Sequence, residues 1–322
     1  MSKKFFLPAL SIALAAGSVA HAASDTWAGT TDNTWATSTN WAGGSVPGTG
    51  NTATFNGAGN GNTSIDLGAG VTLASLVFDT SSAAAYTIGA GGAGAQTLTI
   101  GTAGTAVNMT STVANNQLIN ANLAYGANAV TISNASTTNT LTIAGNLSGS
   151  ANLTKSGAGT IALSGTNSPT GNLLLSAGRL NITGGTTNFG GGFSNLANTT
   201  STTATMNISS GATFGLTGAN GGNFGSTTGA SMAVYNGGTF NQSATTLNNA
   251  GIYLGNSGNT YGYLRNSSGA TTTVSGRLWI SQAGAAAGAT GVLDITGGTV
   301  SVNPGGTFTA GQRLEINDDN NT

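Results

Sequence analysis

Leu180-Asn181-Ile182-Thr183-Gly184-Gly185-Thr186 returns, almost residue for residue, as Leu293-Asp294-Ile295-Thr296-Gly297-Gly298-Thr299. Variants begin at Met206 (MNISSGATF), Met232 (MAVYNGGTF) and Leu264 (LRNSSGAT), so the starts fall at 180, 206, 232, 264 and 293, with steps of 26, 26, 32 and 29 residues. Self-similarity at this period marks a solenoid, one coil per step. A second set lies between these starts: Ile252-Tyr253-Leu254, Leu278-Trp279-Ile280 and Leu314-Glu315-Ile316. Each coil therefore offers at least two strands. In both sets apolar residues take alternate places, the spacing of a strand with one face in a core and the other in water.

The same alternation runs through the first half, at Leu98-Thr99-Ile100, Val130-Thr131-Ile132, Leu141-Thr142-Ile143, Ile161-Ala162-Leu163 and Leu173-Leu174-Leu175. No stretch after Ala23 sustains a helical period, and Glu, Lys, Arg and Gln are scarce. One coil cannot bury its apolar face alone, but stacking lines up Leu, Ile and Val about 4.8 Å apart inside, with Gly at corners and Asn and Thr laddered between coils. The expectation is an all-β, right-handed parallel β-helix of roughly a dozen turns with an N-terminal cap. The competing fold, an antiparallel sandwich or barrel, calls for tight hairpins at a spacing of about 8 to 12 residues. The chain has no Asp-Gly, and its Asn-Gly pairs, beginning at Asn56, Asn60, Asn220 and Asn236, do not fall regularly between strand pairs.

Lys3 and Lys4, the apolar run Phe5 to Ala16 and the Ala20-His21-Ala22 cleavage pattern read as a signal peptide over residues 1–22. Residues 23–60, which hold Trp27, Trp35, Trp41 and Pro47, read as the N-terminal cap, and residues 61–322 as β-helix repeats, incomplete at the C-terminus. The only His leaves with the signal, and there is no Cys. Removing Lys3 and Lys4 from seven basic residues leaves five against eight acidic ones, a net charge of −3, too sparse and of the wrong sign for nucleic acid. No later run is long and apolar enough for a transmembrane helix.

The segment from Trp27 through Trp35, Asn40-Trp41 and Val46-Pro47-Gly48 to Thr52-Ala53-Thr54-Phe55 resembles the opening of bacterial proteins that carry autotransporter-associated β-strand repeats. Leu153-Thr154-Lys155-Ser156-Gly157-Ala158-Gly159-Thr160-Ile161-Ala162-Leu163-Ser164-Gly165-Thr166-Asn167 resembles the repeat itself, with Thr170-Gly171 and Ala177-Gly178-Arg179-Leu180 as its later elements. Each match covers about 30 residues. The resemblance implies an exported β-helix passenger, secreted or displayed at the cell surface or outer membrane, adhesin-like or structural. Export machinery would be a partner if a translocator barrel follows in a longer chain. The chain departs from autotransporters in ending RLEINDDNNT, without such a barrel.

With no His after residue 21 and no Cys, nucleophile triads and zinc or copper sites are excluded beyond the signal, and no catalytic, cofactor-binding or metal residue is assigned. The chain reads as a non-enzyme. Its possible partners are surface glycans or other cell-surface proteins. The alternative is a carbohydrate-active β-helix, binding or cleaving polysaccharide, in which Asp66, Asp79 and Asp294 would have to meet within about 10 Å. Asp318-Asp319 read as a solvated tail, and Lys155, Arg179, Arg265 and Arg277 as surface residues. The three tryptophans serve either as a cap or as a sugar-stacking face. By alternation Tyr253 and Trp279 point outward, with Tyr261 and Tyr263 less determined. Thr97-x-Thr99, Thr110-x-Thr112 and Thr138-x-Thr140 are candidate arrays for a crystalline surface such as ice, or simply outward strand residues. Sparse charge predicts stability nearly flat from about pH 4 to 9.

Overall fold

The computed structural model describes residues 22–191 and, beyond them, 194–196, 204–209, 211–216, 221–224, 230–236, 239–242, 251–254, 261–266, 269–274, 277–280, 290–302 and 314–316. The expected signal peptide lies outside the described residues except for Ala22. The chain is a parallel β-solenoid. Each coil passes through three walls, where the repeats alone had shown two strands. Among the described residues, the first wall is a twelve-stranded sheet running from Asp25–Thr26 and Thr52–Phe55 to Leu314–Ile316, and the second a ten-stranded sheet from Ser64–Ile65 to Thr290–Ile295. The third consists of a four-stranded sheet, Val71–Leu73 to Leu147–Ser148, and a five-stranded sheet, Thr186–Phe189 to Thr299–Val302. Among the described residues only the first wall reaches twelve strands, and the second has ten.

All pairings between these strands are parallel. The antiparallel contact among the described residues is a lone bridge, Trp27 to Trp41. A sandwich or up-and-down barrel requires antiparallel neighbours and is therefore excluded. The second set of repeats stacks as its sequence indicates, with Ile252 beside Leu278 and Leu278 beside Leu314. The first set does so with one slip. Leu180 pairs with Met206, but Met206 pairs with Ala233 rather than Met232, and Ala233 leads on through Leu264 to Leu293. The pairing at this coil is therefore offset by one residue from the one that the likeness of Met206 and Met232 suggests.

The interior is filled by columns contributed by successive coils. In the first wall Leu76, Val107 and Ile132 stack in line, and so do Phe55, Phe78 and Met109; all six are buried. The corner between the second and third walls is made by Gly145, Gly165 and Gly185, one above another. A Cβ on Gly165 would overlap the Gly145 carbonyl oxygen, and one on Gly185 would come within 2.5 Å of the Gly165 oxygen. These glycines let backbones close to sheet spacing where the chain turns, as the sequence led one to expect of corner glycines.

One residue makes the third wall continuous. Asn167 forms a parallel bridge with Thr187, its side-chain oxygen accepts the Leu147 N–H at 2.8 Å, and the Ser168 N–H donates to the Leu147 carbonyl at 3.0 Å. The ladders expected between coils are mostly side chain to backbone. Asn146 N–H donates to Asn122 Oδ1 and Thr166 N–H to Asn146 Oδ1, both at 2.9 Å, while Asn207 to Asn181 at 2.9 Å is a true amide–amide rung.

Candidate functional site

At the N-terminal end of the stack, Trp27, Trp35 and Trp41 close over Phe55. Trp41 meets Trp27 edge-on at 5.2 Å and Trp35 at 4.7 Å, and Trp27 stacks on Phe55 at 5.9 Å. Each indole N–H is spent on a backbone oxygen: Trp27 on Asn62, Trp35 on Pro47 and Trp41 on Trp35, at 2.8–3.0 Å. All three side chains are buried, so none offers a face to a sugar ring. Beside them lies a cleft of about 430 Å³ between Thr34–Ala36, Val46–Thr49 and Asp66–Thr72.

The three acids of the alternative catalytic reading do not converge. Asp66 immediately follows the first strand of the second wall, and Asp294 lies on the tenth. Nine strand spacings separate them by roughly 40 Å. Asp66 accepts the Gln96 side-chain amide at 2.5 Å and the Gly68 N–H at 2.8 Å; Asp79 accepts the Thr110 hydroxyl at 2.7 Å and the Thr80 N–H at 2.8 Å. These hydrogen bonds hold both carboxyls below the ordinary carboxylate range, as bonds from the Thr34 N–H and Asn40 do for Asp32. Asp294 accepts the Tyr263 hydroxyl at 2.5 Å and lies 3.5 Å from Arg265 Nε, its neighbour in register. Among the described residues no group of three His, Cys, Asp or Glu side chains is arranged to hold a metal ion.

Arg179 and Arg265 are exposed, as expected of surface residues. Tyr253 and Trp279 are neighbours in register on the first wall. Their side chains, with those of Tyr261, Arg277 and Glu315, lie outside the described residues, as do Asp318 and Asp319 altogether. Of the threonine pairs, Thr99 stands beside Thr72 in the third wall, whereas Thr110 and Thr112 bond to each other at 2.9 Å and Thr138 accepts from Asn139 at 3.1 Å.

Lys155 overturns its reading as a solvent-facing strand residue. It occupies the inward column of the first wall between Ile132 and Leu175 and is 2% exposed. Its Nζ donates to the backbone oxygens of Gly157 at 2.6 Å, Gly159 at 2.7 Å and Ala177 at 2.7 Å. Loss of hydration pulls the ammonium pKa down to about 7. The signal was present in the sequence: Leu153-Thr154-Lys155 puts Lys155 two places after a core leucine, hence on the inner face.

Other buried polar residues were likewise missed. Gln117 and Asn134 line the corner between the first and second walls, and Asn167 and Asn266 the next corner, each hydrogen-bonded to backbone. Asn266 also accepts from Thr272 at 2.9 Å, as Asn167 donates to Thr187 at 2.9 Å, so one Asn–Thr device serves coils far apart along the stack. No helix among the described residues is long and apolar enough to cross a membrane. No family model matches the chain, and comparison with curated proteins and with solved structures finds no similar protein.

Proposed function

We propose that this protein is an exported, non-catalytic rod that works at the cell surface or after secretion, as an adhesin-like or structural element. The observation that carries this reading is the outer surface of the walls. Threonines recur there in register from coil to coil: Thr105, Thr131 and Thr154 on the first wall, and Thr186 beside Thr213 and Thr271 beside Thr299 on the third. A long, stiff, sparsely charged and hydrogen-bonding surface suits repeated weak contacts with surface glycans or with other surface proteins. The Lys3-Lys4 segment and the resemblance to autotransporter-associated repeats support export. In this reading residues 1–22 are removed, the Trp27–Trp35–Trp41 cluster is the N-terminal cap, and the coil is right-handed, the hand that parallel crossovers take in nearly all proteins.

Proteolytic shaving of intact cells that express the whole reading frame tests the location. Release of the chain from the cell exterior or its recovery from the medium is expected; retention of the uncleaved chain inside the cell sinks the reading. A screen of the purified protein against diverse polysaccharides tests the absence of catalysis, and turnover of any of them overturns that part.

A further inference from the structure

The corner between the first and second walls carries a buried side-chain donor in three coils. In one, Gln117 Nε2 donates to Ala84 at 2.9 Å and Asn115 at 3.1 Å; in a later one, Asn134 Nδ2 donates to Asn139 at 2.9 Å and Thr160 at 2.7 Å. Each amide has two protons and meets two carbonyl oxygens. In the coil that follows Asn134, three oxygens converge, those of Gly157, Gly159 and Ala177, and the donor there is Lys155, whose ammonium has three protons. Donor valence follows acceptor number.

Gly157 and Gly159 lie in the corner of the Lys155 coil, and Ala177 lies in the same corner of the next, just before the strand Gly178–Ile182. The coils are pressed together at this point. Gly157 and Gly178 have φ of 76° and 68°, and a Cβ on Gly178 would sit 2.5 Å from the Gly157 oxygen and 2.6 Å from that of Gly159. Leu153–Thr160 and Ala177–Leu180, two separate stretches of sequence, therefore build one three-dimensional site.

We propose that this corner is a cation-binding site, a cage of three backbone carbonyls for one small monovalent cation, which the chain fills with its own Lys155 ammonium to clamp two successive coils. The oxygens are neutral dipoles, and no carboxylate hydrogen-bonds to Nζ, so the cage lacks the charged ligands that a divalent ion requires. Their contact distance to Nζ suits an ammonium. With the lysine side chain cut back to Ala, the cage accepts a free alkylammonium in its place.

Two measurements test this on the full chain. Lys3, Lys4 and Lys155 are the only lysines, so ¹⁵N-lysine labelling gives at most three side-chain signals, and Lys155 is identified by its loss in Lys155→Arg. On the acidic side of neutrality the Lys155 signal is expected to show three slowly exchanging protons, unlike Lys3 and Lys4. Fast exchange at Lys155 overturns the clamp. Lys155→Ala is expected to lower Tm by several degrees, with at least half of the loss recovered in methylammonium chloride and none in matched tetramethylammonium chloride, whose cation has no N–H to donate. Lys155→Met, which keeps the side-chain volume in the cage, is expected to lose stability without recovery. Equal response of Lys155→Ala to the two salts overturns the cage, and if that variant does not fold, the wild-type exchange measurement decides.

Discussion

Asn167 carries more of the fold than its single place in a corner suggests. Fully buried, it accepts the Leu147 N–H from one neighbouring coil, donates to the Gly165 oxygen at 3.0 Å and reaches Thr187 in the other. Asn167→Ala strands buried polar groups on both sides, and a loss of about 2 to 4 kcal/mol is expected from urea unfolding. A loss under about 0.5 kcal/mol would show that the two third-wall sheets do not depend on it. Burial of Lys155 is expected to give stability a pH dependence near neutrality, in contrast to the flat profile expected from sparse charge. An unfolded lysine titrates near 10.5, whereas burial brings the folded group to about 7. Between these values the unfolded chain holds a proton that the folded chain has released, so stability rises with pH from about 7 to about 10.5. Tyr86 acts in the opposite sense further on. Burial pushes its phenol from 10.0 up to about 12, so the stability it contributes is complete below pH 10.0 and is lost as pH rises through about 12. Urea midpoints measured from neutral to strongly alkaline pH are expected to climb and then fall; a flat profile above neutrality would mean that the three carbonyls offset the whole cost of burying the ammonium.

At the scale of the element, stacking makes each corner a constraint on the next coil. Gly165 has no room for a methyl group beneath the Gly145 oxygen, so Gly165→Ala must push two coils apart. A loss of about 2 kcal/mol or more is expected in thermal or urea unfolding, and an unchanged midpoint would show that the corner yields freely. The strand Thr52–Phe55 ties the tryptophan cluster to the coils beyond it, because Phe55 touches all three indoles and also Phe78 at 5.8 Å and Tyr86 at 4.9 Å. Phe55→Ala is expected to cost about 3 to 5 kcal/mol locally. Hydrogen exchange should then accelerate first at the indole N–H groups and at Thr52–Phe55, with Leu173–Leu175 least affected. Uniform acceleration along the chain would instead mean that the stack unfolds as one unit.

For the molecule as a whole, eleven spacings across the twelve strands of the first wall give a length of about 50 Å along the stack. Small-angle scattering is expected to yield an elongated particle at least that long, and a compact, isometric profile would refute the solenoid. The sequence by itself determined the solenoid. Its repeat of 26 to 32 residues and alternating apolar places favour parallel coils stacked on one another, because each coil needs a neighbour to bury its oily face. It also marked the tryptophans and the corner glycines, since large rings and missing side chains have few alternative uses. Only the tertiary structure decided the third wall, the register at Ala233 and the fates of Asn167 and Lys155. Alternation from Leu153 already places Lys155 on the inner face, but what satisfies an ammonium there is a set of carbonyls supplied partly by another coil, more than 20 residues on at Ala177. Such acceptors exist only once the coils have closed, so no local reading of residue types contains them.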